Sequence, residues 1–113
     1  MEELAIQLAQ KQLDAYNSQN LEEFLSVYSE DVEVLEFPTN KQMYKGIERM
    51  RERYEALFKN NPNQHAKLLT RMAKGNIVID HEYVTGRTNE IEVTAIAMYE
   101  IKGNKIGRVW FVK

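Results

Sequence analysis

The sequence has no cysteine, only two prolines and five glycines, and a single tryptophan. Without cysteine there are no disulfide staples, no thiolate metal ligands and no cysteine nucleophile, which fits a reducing compartment and makes a cytoplasmic location the expectation. Neither charge sign dominates. Fifteen Lys and Arg against 17 Asp and Glu leave a net charge of -2, so no basic face is large enough to neutralise a row of phosphates, and nucleic acid is not an expected partner. The longest apolar run is about a strand long, too short for a membrane span. The opening MEELAIQL is acidic and lacks a basic segment before an apolar stretch, so it does not read as a secretory signal. The two histidines, His65 and His81, lie far apart and without the carboxylate spacing of a metal motif, so neither a metal nor a cofactor is expected. No glycine-rich phosphate loop and no serine nucleophile motif occurs.

What is present is an ordinary globular balance, 43% hydrophobic and 28% charged over 113 residues, enough for one domain spanning residues 1–113. Leu4, Ala5, Leu8, Ala9, Leu13 and Tyr16 fall on one arc at helical spacing, predicting an amphipathic helix over residues 2–18. Gln12 lies inside that arc, a polar group where the pattern asks for an apolar one. Asn20 followed by Glu23 resembles a capping box, and Leu21, Phe24, Leu25 and Tyr28 give a short second helix. VEVLEFP reads as a strand. Gly46 opens a third helix with Ile47, Met50, Tyr54, Leu57 and Phe58 on its apolar face, ending at NNPN, residues 60–63. Its ERMRERYE run pairs opposite charges three or four apart, as a solvated helix face does.

From residue 65 the period changes to two, predicting an antiparallel meander of strands at 65–73, 77–85, 91–101 and 106–112. Gly-Asn occurs at both Gly75-Asn76 and Gly103-Asn104, which suits two-residue hairpin loops. The first loop sets a register with Lys74 opposite Ile77, Arg71 opposite Asp80, Thr70 opposite His81 and Leu68 opposite Tyr83. Burying two adjacent carboxylates is expensive unless they are paired. The expected inner face therefore carries Leu68, Thr70, Met72, His81 and Tyr83. Asp80 and Glu82 go to the outer face, with Arg71 as a cross-strand partner. His81 then has two readings, a hydrogen-bonded core imidazole or a proton-transfer group in a cavity. In VEVLE, alternation puts Val32, Val34 and Glu36 on one face, and Pro38 ends the strand soon after Glu36. Glu36 is thus either a rim carboxylate or a general base with a pKa raised by apolar walls.

The order AYNSQNLEEFLSVYSEDVEV, YKGIERMRERY, GNIVIDHEYVTG and AMYEIKGNKIGRVWF resembles the nuclear transport factor 2-like superfamily, in its SnoaL-like and ketosteroid-isomerase-like branch. The likeness covers nearly the whole chain. It implies an α+β roll of the cystatin-like kind, a cone-shaped, curved, mostly antiparallel sheet packed against three helices from the N-terminal half. An apolar pocket opens at one end, and dimers commonly form through the sheet. In the final hairpin, Tyr99, Ile101, Trp110 and Val112 are expected on one face and Ile96, Met98, Val109 and Phe111 on the other, apolar on both sides, as a pocket and a homodimer contact require.

By resemblance to ketosteroid isomerases, Glu36 matches the general base, and Gln12 stands where the tyrosine donor of helix one would be. The aspartic acid donor has no counterpart, since Ala95 and Ile96 occupy its place. Loss of a preorganised donor removes roughly 3 to 4 kcal/mol of oxyanion stabilisation, which argues against steroid isomerisation. SnoaL-type cyclases use carboxylate and histidine chemistry on a bound carbonyl compound, which Glu36 and His81 would supply. The resulting expectation is a cofactor-free isomerase, lyase or cyclase moving a proton next to a carbonyl of a small apolar molecule. Glu36, His81 and Gln12 would be catalytic, and Tyr16, Tyr54, Met72, Tyr83, Met98 and Phe111 would line the pocket. The rival is a non-catalytic ligand-binding or dimerisation module of the same fold, with docking of a protein partner a third and less favoured use.

Overall fold

The computed structural model describes residues 2–88 and 92–112. Helix α1 (Glu2–Ser18) presents Ala5 and Ala9, both fully buried, toward the sheet, and their small size lets the helix lie close to it. Its last turn is fastened by Asn17, which donates through Nδ2 to the Ala66 carbonyl at 2.9 Å and accepts from the Ala66 N–H at 2.8 Å. Asn20 caps α2 (Leu21–Leu25) by accepting the Glu23 N–H at 3.1 Å, satisfying one donor that a helix start leaves open. Strand β1 (Tyr28–Phe37) turns into β2 (Gln42–Lys45), a short strand that the sequence pattern left unassigned, and α3 (Ile47–Asn60) follows. The meander is β3 (His65–Lys74), β4 (Ile77–Thr85), β5 (Val93–Lys102) and β6 (Lys105–Val112). The expected start of β5 at Ile91 lies outside the described residues.

The six strands form one curved, unclosed sheet in the order β2-β1-β6-β5-β4-β3, antiparallel except where β1 runs parallel to β6. The three helices complete an α+β roll. Val32, Val34, Val78, Tyr99, Ile106 and Val109 face the helices from the sheet and meet Phe24 and Met50. Each such side chain contributes roughly 1.5 to 3 kcal/mol on burial. Phe24 is also the hub of an aromatic cluster, with ring centroids 4.4 Å from Tyr54 and 5.1 Å from Tyr28. No helix among the described residues is long and apolar enough to cross a membrane.

Both Gly-Asn loops set the pairing expected of them, Lys74 with Ile77 and Lys102 with Lys105. Arg71 opposite Asp80 and Thr70 opposite His81 also hold. Beyond these points the expected faces need correction at two bulges. In β3 the register shifts at Leu69, so Leu68 pairs with Glu82 and Lys67, not Leu68, with Tyr83. In β6 it shifts at Gly107, so Glu100 meets Arg108 and Tyr99 meets Val109. An extra residue reverses the side-chain alternation of everything beyond it. Tyr99 and Ile101 therefore share the inner face with Val109 and Phe111, while Met98 and Trp110, paired across β5 and β6, share the outer one.

Candidate functional site

Strand β4 puts two carboxylates on the helix-facing side, reversing the expectation for this strand. Asp80 is completely buried. Its burial is compensated by Arg71 across the strand pair, whose Nε and Nη2 donate to the two carboxylate oxygens at 2.7 and 2.9 Å. Arg71 is itself held by Gln10 of α1, which accepts from Nη1 at 2.8 Å. A bidentate, hydrogen-bonded pair of this kind is what makes a buried charge tolerable. Asp80 therefore stays inside despite the cost of burying a carboxylate, because this pairing offsets its desolvation.

Glu82 is two residues further along on the same face and has no such partner. It lines a cavity of about 110 Å³ between sheet and helices, and its Oε2 is buried without a hydrogen bond. Burial first, and the nearby Asp80 charge second, push its carboxyl up to about 7, with Arg71 pulling the other way. Desolvation and a like charge both disfavour the carboxylate. Around it stand phenols from five elements: Tyr16 of α1, Tyr28 of β1, Tyr44 of β2, Tyr54 of α3 and Tyr99 of β5. Burial raises the pKa of each, keeping these phenols neutral. Gln12 completes the polar set, accepting from the Tyr28 hydroxyl at 3.3 Å and donating to the Ala9 carbonyl at 3.1 Å. Val34, Val109 and Phe111 supply apolar wall.

The cavity adjoins a wider cleft of about 530 Å³, and the two share Tyr44, Tyr54, Leu57, Arg87, Ala95 and Phe111. Arg87 stands at this junction just after β4. Its Nε donates to Gln64 Oε1 at 3.0 Å, and the same oxygen accepts from the Tyr16 hydroxyl at 2.7 Å. Gly86 makes that placement possible. Its φ is +79°, and a Cβ there would lie 2.1 Å from the Asn63 carbonyl oxygen, so only glycine lets the chain pass so close.

Of the residues expected at a site, Gln12, Tyr16, Tyr54 and Phe111 line the cavity. Glu36 and His81 do not. Glu36 is half-buried, beyond the lining Val34 and opposite Phe111 in the β1–β6 register. His81 alternates with the inward Asp80 and Glu82, so it stands on the outer face between Thr70 and Ile96. Met72 and Met98, paired with Ile79 on either side, share that outer face, and Met72 is 61% exposed. Tyr83 is there too, with its hydroxyl bonded to Glu92. The expected placement of these four side chains inside is corrected: β4 turns Asp80 and Glu82 inward and so His81 and Tyr83 outward, the Leu69 bulge puts Leu68 on the face opposite Thr70 and Met72, and Met98 pairs with outward Trp110 past the Gly107 bulge. Glu82, Tyr28, Tyr44, Tyr99 and Arg87 are the polar cavity residues that the sequence did not point to. Asp80, Glu82 and Val84 with Val78 form an unbroken i, i+2 row, and recognising Val78 and Val84 as core would have brought the carboxylates inside with them. Among the described residues no three His, Asp or Glu side chains are grouped to hold a metal ion.

A family model described as a SnoaL-like domain matches residues 9–109. Among solved structures, an uncharacterized cystatin fold protein from Novosphingobium aromaticivorans superposes with a TM-score of 0.88 at 24% identity, covering 96% of this chain and 97% of that one. A candidate polyketide cyclase from Sinorhizobium meliloti gives 0.79 at 18% identity, covering 93% of each chain. A candidate ketosteroid isomerase from Kribbella flavida gives 0.82 at 19%, covering 98% of this chain and 78% of that one. These likenesses concern the fold. No curated protein matches the sequence.

Proposed function

Because the chain belongs to the SnoaL-like domain family, we propose that residues 1–113 act as one domain that binds a small apolar carbonyl compound in the inner cavity and moves a proton next to the carbonyl without a cofactor. The observation that carries this reading is the Glu82 oxygen, buried in the cavity and without a hydrogen-bond partner. A carboxyl poised near 7 in an apolar cavity suits general acid–base work at neutral pH. As a carboxylate, Glu82 would take the proton from the carbon next to the carbonyl. The C–H electron pair becomes the enolate double bond, and the carbonyl oxygen takes up the charge. The neutral hydroxyl of Tyr99, which lines the cavity, would donate to that oxygen. Return of the proton to a different carbon, or attack of the enolate on a second carbonyl, would give isomerisation or cyclisation. The presence of candidate polyketide cyclases and ketosteroid isomerases among the structural relatives supports this chemistry. Gln12, Tyr16, Tyr54 and Phe111 belong to the proposed ligand contacts.

The test is exchange of the α-protons of a small ketone such as 2-acetonaphthone in heavy water, followed by NMR. Wild type accelerates exchange, Glu82→Gln loses that acceleration while still binding the ketone, and Glu36→Gln and His81→Ala retain it. Binding without accelerated exchange in wild type would leave the non-catalytic pocket protein.

A homodimer through the outer sheet face belongs to the same reading, supported by the exposure of Leu69 at 46% and Met72 at 61%. Sedimentation velocity decides it, a monomer at micromolar concentration contradicting it. A cytoplasmic location accords with the lack of cysteine.

A further inference from the structure

The two spaces beside Glu82 differ in size. The inner cavity holds about 110 Å³, less than the roughly 150 Å³ of an engineered apolar cavity that takes up one benzene ring. A six-membered ring is therefore too large for it. The wider cleft, about 530 Å³, falls within the roughly 300 to 1,000 Å³ usual for small-molecule sites. Glu82 lines only the inner of the two. A ligand that reaches it must keep its bulk in the cleft, against Met43, Ile96 and Val112, and send in no more than a narrow end group.

The passage between the spaces is bounded from the sheet by Ala95 and Phe111 and from α3 by Tyr54 and Leu57, since these residues line both. Ala95 is the smallest of them. It stands directly opposite Glu82 across the β4–β5 pair, where cross-strand Cβ atoms are about 4.5 to 5.5 Å apart. Phe111 pairs with Ala97, two residues along the same face of β5, a diagonal that an aromatic side chain can span. The single methyl group at position 95 thus leaves open an approach to the carboxyl that a larger side chain would fill. The wall on the helix side resists widening. The Tyr54 ring lies 4.4 Å from Phe24 and 6.0 Å from Phe58, centre to centre, and close-packed side chains of this kind do not shift without cost.

We propose that the substrate presents a terminal, open-chain acyl group narrow enough to pass Ala95, with its apolar body held in the cleft, and that the passage excludes a carbonyl built into a ring. This rests on the acid–base reading above and adds the shape of the substrate to it. With an acetyl group in the inner cavity, Glu82 takes a proton from the methyl carbon and the C–H electron pair becomes the enolate double bond. In heavy water the carboxyl exchanges that proton for a deuteron, which returns to the same carbon.

The test measures this exchange by NMR for 2-acetonaphthone and for 1-tetralone, each rate divided by the rate in buffer alone. Both are aryl ketones, and 1-tetralone is the smaller molecule, but its carbonyl and α-carbon belong to a six-membered ring. Wild type is expected to accelerate 2-acetonaphthone at least about tenfold more than 1-tetralone, the lower end of the discrimination that one methylene of misfit gives. Ala95→Val and Ala95→Leu are expected to lose the acceleration of 2-acetonaphthone progressively while keeping the circular dichroism of wild type, valine being well suited to a strand. Met98→Leu, on the outer face of the same strand, should keep it. Phe111→Leu, which removes a ring from the passage, is expected to narrow the preference between the ketones and reads it independently of position 95. Equal acceleration of the two ketones in wild type, or full acceleration in Ala95→Leu, would overturn the acyl assignment and leave Glu82 as the base. No acceleration of either ketone would overturn the acid–base reading, and this one with it.

Discussion

Asp80 and Glu82 point to the same side of β4 two residues apart, yet Asp80 receives two hydrogen bonds from Arg71 while Glu82 keeps a buried oxygen with none. One strand thus holds a satisfied structural pair and an unsatisfied acid side by side. The difference follows from β3, where Arg71 faces Asp80 and, past the bulge, the residue facing Glu82 is Leu68.

The first consequence is for stability against pH. Glu82 is raised from 4.5 to about 7, so the folded chain holds its proton more tightly than the unfolded chain does. Below pH 4.5 both states are protonated and the group costs nothing; stability then falls as pH rises through that window and stays low above it. At about 1.4 kcal/mol per pKa unit the penalty is at most about 3 kcal/mol. Glu82→Gln is expected to flatten this dependence and to be more stable than wild type at pH 8. Urea unfolding at pH 5 and pH 8 checks it, and a wild-type curve without that fall would contradict it.

Breaking the neighbouring pair acts in the opposite direction. Asp80→Asn leaves Arg71 largely buried without its counter-charge, its side chain being only 13% exposed, and is expected to cost about 3 to 5 kcal/mol. Replacing both, as Asp80→Leu with Arg71→Met, removes the unpaired charge and should recover most of the loss. Thermal or urea midpoints read the difference. A double variant no more stable than the single one would show that the charge pairing is not what matters there.

Gly86→Ala is expected to lose about 1 to 3 kcal/mol, the range for a non-glycine residue forced into a rare backbone conformation. The new Cβ cannot remain 2.1 Å from the Asn63 carbonyl, so the chain entering Arg87 must shift. Thermal unfolding checks the loss, and a variant as stable as wild type would contradict it.

How much of this could be read in advance depended on where the chain keeps step. Gly75-Asn76 and Gly103-Asn104 were legible as hairpin loops because two-residue turns fix the pairing next to them. The Leu69 and Gly107 bulges were not, since an extra residue leaves little mark on an alternating pattern, and each reversed the faces beyond it. His81, Met72 and Tyr83 were expected inside, and Glu82 outside, because the cost of burying carboxylates was set against the apolar row without the Arg71 pairing that offsets it at Asp80. Gln12 was legible as an oddity in an apolar arc, and it does line the cavity. The short β2 strand and the parallel β1–β6 pairing depend on contacts between distant segments that periodicity does not encode.

The most direct measurement is a carbon-13 NMR titration of the protein labelled at its glutamate side-chain carboxyls, with the Glu82 signal identified by its loss in Glu82→Gln. A midpoint near 7 is expected for that signal. A midpoint near 4.5, the ordinary value for the group, would place the carboxyl in water and remove the acid–base chemistry proposed for it.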